Sequence, residues 1–236
     1  MKNSGYFSAF LICLFLFSAQ VETQGQSLYR DQYERKHSIS LGAGPSFMYS
    51  DNGGIYNSGD FKWNPVFSLA YTRKLGSKFA VQATGGLQIV ESGGTEREYA
   101  IDDWIDSGGS FRFKGQAFFM DLMPVIYLIP YDTHMNRGRF NAYLGSGVGF
   151  VQVNRKEAFS FDENAPQFEK SSNSFYIPAM VGFSYSISPL SDLSLEIKGM
   201  FTFSDELDGN VGYNQFNDHF VQTQIVYRRL LRNSMK

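Results

Sequence analysis

Eight stretches of the chain alternate apolar residues with polar or small ones, which is the pattern of a β-strand with two unlike faces. In the clearest stretch, Phe183 and Tyr185 alternate with Gly182, Ser184 and Ser186. After the N-terminal region, no window shows a helical repeat of apolar positions long enough to predict a helix. The pattern predicts strands over 38–49, 61–72, 79–89, 118–129, 140–153, 174–187, 193–203 and 219–228.

The predicted connections are short at one set of strand ends and long at the other. The short ones are 74–78, 130–139 and 188–192; the long polar ones are 50–60, 91–112, 154–173 and 204–218. This arrangement is typical of an outer-membrane barrel. We therefore predict an all-β fold, an eight-stranded antiparallel transmembrane β-barrel of the size of the small OmpA and OmpX barrels.

A soluble barrel or sandwich is the alternative, because it also consists of alternating strands. The polar face of these strands consists of Ser, Thr, Gly, Gln and few charges, which suits the lumen of a narrow barrel better than a water-exposed surface. The larger apolar face would then meet lipid. The predicted strands are also close to the ~9–11 residues that cross a bilayer. These two features favour the membrane barrel.

The N-terminus predicts export. Lys2 precedes a predominantly apolar run from Tyr6 to Ala19, too short for a spanning helix and of the right length for a signal-peptide core. Cleavage after Ala19 or Gly25 would remove Cys13, the single cysteine. We predict a signal peptide over 1–25, a periplasmic segment over 26–37, the outer-membrane barrel over 38–230 and a basic periplasmic tail over 231–236.

Composition excludes two classes of protein. The chain is 43% hydrophobic and 17% aromatic, which gives it enough apolar surface to fold and excludes a disordered chain. Its net charge is −2, and no basic run is interleaved with aromatic residues, so we expect no nucleic-acid partner.

The charges are unevenly distributed. Acidic residues predominate in the long segments, above all in 91–110 and 204–218, whereas basic residues concentrate at the short turns and the C-terminus. An even strand number and an exported N-terminus would place both termini in the periplasm and the long acidic loops outside the cell. We predict a periplasmic basic rim that binds a partner's carboxylates or lipid phosphates, although a purely topogenic role stays open. Its residues are Arg73, Lys74, Lys78, Arg137, Arg139, Arg228, Arg229 and Arg232.

Three charged residues fall on the predicted lumen face: Asp121, Glu196 and Lys198. A narrow lumen has little room for water, so we expect these charges to pair with one another and to plug the barrel. A proton or ion path through the same residues is the alternative.

Signatures of catalysis and of metal binding are missing from the sequence. His37, His134 and His219 lie at predicted strand ends or turns, and no H-x-x-E or C-x-x-C spacing occurs. The acidic segment 205–210 lacks the alternating ligand order of a calcium loop. We therefore expect no catalytic residue, no cofactor and no metal.

Several segments between residues 38 and 230 resemble a family of small outer-membrane β-barrels of Bacteroidota-type bacteria, which includes the type IX secretion accessory protein PorG. The similar stretches are 64–71 (NPVFSLAY), 75–81 (LGSKFAV), 129–131 (IPY), 139–143 (RFNAY), the glycines of 145–149, and 201–208 (FTFSDELD). The resemblance implies a non-enzymatic barrel whose periplasmic side contacts secretion proteins. The basic ending after residue 228 departs from the family pattern.

These observations together predict a non-enzymatic barrel that serves as an anchor or assembly component of an envelope machine. The expected partners are outer-membrane lipid and envelope proteins. Two other functions stay open: a stand-alone barrel whose acidic loops bind at the surface, and an outer-membrane lipid-modifying enzyme.

Overall fold

The computed structural model describes residues 35–52, 61–92, 108–160, 166–212 and 216–231. The predicted signal peptide, Arg232 and the rest of the predicted tail lie outside these residues. The strands are β1 His37–Tyr49, β2 Asn64–Lys74, β3 Phe79–Glu91, β4 Arg112–Tyr127, β5 Phe140–Ser146, β6 Val148–Ala158, β7 Gln167–Ser188, β8 Ser191–Thr202 and β9 His219–Leu230. Among the described residues, no helix has the length and apolarity needed to cross a membrane.

The strands form a closed antiparallel ring. Strands that follow one another in the chain pair with each other, except β5 and β6, which both pair with β4 and β7, and β1 pairs with β9 to close the circle. Strands β5 and β6 are two halves of one barrel strand, because both continue the same register against β4 and β7 across Gly147. A Cβ on Gly147 would lie 2.1 Å from the backbone oxygen of Leu122, so only glycine fits there. The predicted eight-stranded barrel is confirmed.

Inward and outward positions alternate along every strand, as the sequence predicts. On β4 the outward residues Phe118, Met120, Leu122 and Ile126 are exposed, while Met123 is buried in the interior. The apolar run 118–126 spans roughly 30 Å at ~3.3 Å per residue. A strand tilt of ~40° reduces its height to ~23 Å, close to the ~25 Å apolar band of outer-membrane barrels.

Strand lengths differ from the prediction on one side of the barrel. The segment 154–173 was expected to be a long polar connection, but β6 continues to Ala158 and β7 begins at Gln167. Strand β4 likewise begins at Arg112, six residues before the predicted start. These extensions carry polar residues on their outward face, so they lack the apolar alternation by which a strand is recognised. Backbone pairing such as Asn154 with Ser171 holds them in the sheet.

Candidate functional site

The middle of the lumen is crossed by an ion pair. Lys198 on β8 places its Nζ 3.0 Å from Oδ2 of Asp121 on β4, and both side chains are buried. The hydroxyl of Tyr176 on β7 donates to the same Oδ2 at 2.9 Å, and Lys198 also lies 4.4 Å from the ring centroid of Phe119. Two of the three charged residues assigned to the lumen from sequence therefore meet each other, 77 positions apart in the chain.

The third residue, Glu196, meets a cation that the sequence interpretation placed elsewhere. Arg228 lies inside the lumen with Nη2 3.6 Å from Glu196 Oε1, and it is 3% exposed. The Tyr143 hydroxyl donates to Glu196 at 2.5 Å and accepts from Arg228 at 3.1 Å. The assignment of Arg228 to the basic rim is therefore wrong. The sequence does indicate the lumen position of Arg228, because an even number of residues separates it from Gln222 and Gln224, which face the lumen.

A chain of amide groups fills the lumen beside these ion pairs. Ser68 donates to Gln224, Gln224 donates to Gln222 at 3.0 Å, and Gln222 donates to Gln88 at 2.9 Å. The cavity between this chain and Glu196 has a volume of about 10 Å³. That space holds about one water molecule. Polar side chains therefore fill this part of the lumen, and most of them are hydrogen-bonded or ion-paired to one another.

The long-loop end of the barrel, where the long connections meet, is closed by a hydrogen-bonded knot of backbone and side chains. Asp208 accepts from the backbone of Asn52 at 2.6 Å and of Asn210 at 2.9 Å, and Asn210 in turn binds both backbone groups of Ser110. Asp218 accepts from the backbone of Leu207 at 2.7 Å. Described residues of three connections, Asn52, Ser110 and the segment 207–210, are therefore joined to one another by hydrogen bonds.

The carboxylates of this knot are unusual because they are buried. Burial raises the pKa of Asp208 to about 7, against the lowering effect of its two backbone donors. Burial, followed by the proximity of Asp208, raises the pKa of Asp218 well above its usual range.

A buried ion pair contacts the same segment: Arg155 pairs with Glu157 at 2.7 Å and donates to the backbone oxygen of Leu207. Gly209 adopts a φ of +99°, and a Cβ there would lie 2.4 Å from Glu157 Oε1.

At the short-turn end, where the short connections lie, two predicted rim residues are structural. Lys74 is buried and donates to the backbone oxygens of Tyr131 and Asp132 at 2.5 and 2.7 Å. Arg137 forms a buried ion pair with Asp192 at 2.6 Å and also donates to the carbonyl oxygens of Ser188 and Pro189. The prediction that Lys74 and Arg137 belong to a basic rim available to a partner is therefore wrong. Four predicted rim residues are exposed in the described part of the chain: Arg73, Lys78, Arg139 and Arg229.

Groups suited to metal binding do not converge in the described residues: no three His, Cys, Asp or Glu side chains there have the geometry of a metal site. His37 Nδ1 lies 2.5 Å from the Tyr71 hydroxyl on the outer surface, and His219 contacts the Asp218 backbone oxygen. The chemistry of the described interior is therefore that of ion pairing and hydrogen bonding.

Comparison with solved structures agrees with the barrel fold. A major outer membrane protein from Thermus thermophilus matches 82% of this chain and 98% of its own, with a TM-score of 0.51 and 15% identity. The neisserial surface protein A (NspA) has a TM-score of 0.49 and 11% identity, over 83% of this chain and 97% of its own. Ail, the attachment invasion locus protein of Yersinia pestis, has a TM-score of 0.45 and 13% identity, over 84% of this chain and 98% of its own.

Comparison by sequence identifies one family. The profile described as a domain of unknown function (DUF6089) matches residues 106–225, which is just over half of the chain and runs from shortly before β4 into β9. No curated protein sequence matches.

Proposed function

The chain belongs to the family described as a domain of unknown function (DUF6089), and we propose that it is a non-conducting, non-enzymatic outer-membrane anchor within an envelope assembly. The observation that carries this proposal is the filled lumen. The Asp121–Lys198 and Arg228–Glu196 pairs leave room for about one water molecule beside them. A barrel with such an interior acts through its ends and its outer face.

The apolar outer face supports location in the outer membrane. Large apolar side chains are exposed around the ring, for example Leu41, Leu69, Leu122 and Ile225. Exposing such a surface to water would be costly, whereas lipid accommodates it. In our proposal the short-turn end and both termini face the periplasm, and the long acidic connections lie outside the cell.

A role beside the type IX secretion machinery is the specific form of this proposal. Its support is the resemblance to the family that includes PorG, carried by segments such as 64–71 and 139–143. The exposed cations Lys78 and Arg139 stand at the short-turn end, where a periplasmic partner with carboxylates would bind. Arg137 is unsuitable for that task because its side chain already holds Asp192.

Conductance tests the first half of the proposal. The purified chain should insert into planar bilayers, migrate as a heat-modifiable barrel and give no stable single-channel current. Steady conductance of the folded barrel would contradict a plugged lumen. The filled barrel should also resist release by carbonate, as an integral membrane protein does.

Co-purification tests the second half. The charge reversals Lys78→Glu and Arg139→Glu should release an envelope partner while the barrel stays folded. Reversal of Lys62, which is exposed toward the long-loop end, is the charge-matched control for either single reversal. If the partner is unaffected by the first pair but lost when 91–110 is shortened, the acidic loops are the docking face.

The second candidate is a stand-alone barrel that binds ligands with its long-loop end. The observation in its favour is the ordered knot of Asn52, Ser110, Asp208 and Asn210, which gives that end a defined shape. In this case no envelope protein would co-purify under any of the conditions above.

A further inference from the structure

A polar facet interrupts the apolar outer surface on one side of the barrel. Outward-facing Gln116, Asn154 and Ser171 are directly opposite one another on β4, β6 and β7. Ser171 donates to Asn154 at 2.8 Å, and Gln152 donates to both at 3.4 Å. We call these four residues the amide facet. Elsewhere toward the long-loop end aromatic residues lie on the outer face, as in the Phe47–Trp63 pair with centroids 5.0 Å apart.

A row of four charges borders the amide facet on the side away from the apolar band. Glu91, Lys114, Lys156 and Glu169 are consecutive partners across β3, β4, β6 and β7. The outer ion pairs are loose and exposed, with Lys114–Glu91 at 3.8 Å and Lys156–Glu169 at 3.2 Å. Lys114 and Lys156 are directly opposite each other, and like charges in that position repel. The centre of the row therefore favours an anion between two lysines.

Apolar residues border the facet on its other side. Phe118 and Met120 continue down β4, and Phe150 packs edge-on against Phe175 with centroids 5.5 Å apart. An open groove of about 610 Å³ runs over the amide facet and the row of charges, and its lining includes Lys114, Gln116, Asn154, Lys156, Glu169 and Ser171. The order along the surface is thus apolar, hydrogen-bonding and cationic.

We propose that this groove holds one phosphorylated glycolipid of the outer leaflet. Lys114 and Lys156 bind the phosphate, the amide facet hydrogen-bonds the sugar hydroxyls, and Phe118, Phe150 and Phe175 contact the acyl chains. A lipid fits this surface because its own order, from chains through sugar to phosphate, matches that of the residues. A second copy of this chain fits poorly, because juxtaposing two such facets by a twofold axis would bring the lysine pairs together.

This inference rests on the proposed function, since it requires the apolar band to lie in a bilayer. The test compares the barrel in nanodiscs of phosphatidylcholine doped with diphosphoryl lipid A or with its dephosphorylated counterpart. Native mass spectrometry of the released barrel reports which lipid it retains. The wild-type chain should retain one diphosphoryl lipid A and much less of the dephosphorylated form. Each lysine near a charged headgroup contributes ~1 kcal/mol, so Lys114→Gln with Lys156→Gln should weaken retention roughly 10- to 30-fold.

The matched control replaces two exposed lysines outside the facet and outside the predicted basic rim, Lys36→Gln and Lys62→Gln, which changes net charge equally and should leave retention unchanged. Equal retention by the facet variant and the wild type, or equal retention of both lipids, would overturn the inference. So would a dimer joined through the facet, or complete displacement of the lipid by inorganic phosphate. Failure to insert into nanodiscs would instead refute the proposed function, so the two failures are distinguishable.

Discussion

Tyr176 packs its ring against Gly149 on the neighbouring strand, directly opposite it in the register. A Cβ on Gly149 would lie 2.2 Å from Tyr176 Cζ, so the ring occupies the place of a side chain. The same relationship joins Tyr143 to Gly182, where the corresponding distance is 2.3 Å. Each tyrosine so placed directs its hydroxyl to a lumen carboxylate, Asp121 or Glu196. The glycines thereby determine where the two ion-pair clusters lie.

Gly149→Ala should destabilise the barrel by about 1–3 kcal/mol, because the added methyl group displaces the Tyr176 ring and its bond to Asp121. Unfolding in urea with lipid vesicles measures the change. Gly85→Ala is the control, since a Cβ there meets only a backbone oxygen at 3.9 Å. Equal stability of the two variants would show that the ring has room to move.

Lys198→Met should cost about 3–5 kcal/mol of unfolding free energy, because it leaves Asp121 charged, buried and without its cation. Adding Asp121→Asn should recover much of the loss. The exposed pair Lys156–Glu169 provides the comparison, for which Lys156→Met should cost at most ~1 kcal/mol. A small loss for Lys198→Met would mean that water reaches Asp121 in the lumen.

Val181→Arg should destabilise the barrel by about 2–4 kcal/mol, since Val181 faces outward near the middle of β7 and would place a charge in the lipid core. Asn173→Arg, on the same strand and the same face but closer to the long-loop end, should cost no more than ~1 kcal/mol. Refolding into bilayers of defined thickness measures both. Equal costs would contradict the position of the lipid band.

The knot at the long-loop end should loosen as pH rises. Asp208 has a pKa raised from its usual value near 3.8 to about 7, so its ionisation opposes the closed arrangement. The closed form is fully favoured below pH ~4 and loses stability as pH rises through about 7. Hydrogen exchange at the Asn52 and Leu207 amides, corrected for the intrinsic pH dependence, should show protection at pH 5 and faster opening at pH 8.

Asp208→Asn should remove much of this pH dependence, because an amide oxygen still accepts hydrogen bonds but does not ionise. The remainder belongs to Asp218, whose pKa is raised in the same direction. Asp132→Asn, an exposed site at the short-turn end, should leave the profile unchanged. If hydrogen exchange in Asp208→Asn has the same pH dependence as in the wild type, that dependence comes from other groups, such as Asp51.

The sequence by itself determined the strands of the barrel wall and the direction of most side chains. Lipid outside and a narrow lumen inside impose a two-residue period of apolar and polar side chains along each strand. The sequence of a single strand therefore shows that Phe118 faces lipid and Gln222 faces the lumen. The same period places Asp121 and Lys198 inside. It does not show that they meet, because that contact depends on closing a ring between strands distant in the chain.

The tertiary structure decided which charges are available for binding. Arg228 and Arg229 are adjacent in sequence, yet one is buried beside Glu196 and the other is exposed, because successive strand residues point to opposite faces. Arg137 lies in a connection without periodicity, and its pairing with Asp192 depends on the packing of that connection against the start of β8. The amide facet lies on strands whose polar outward residues give no alternating apolar signal. These strand extensions form because their backbones pair with those of neighbouring strands, and that pairing exists only once the sheet has assembled.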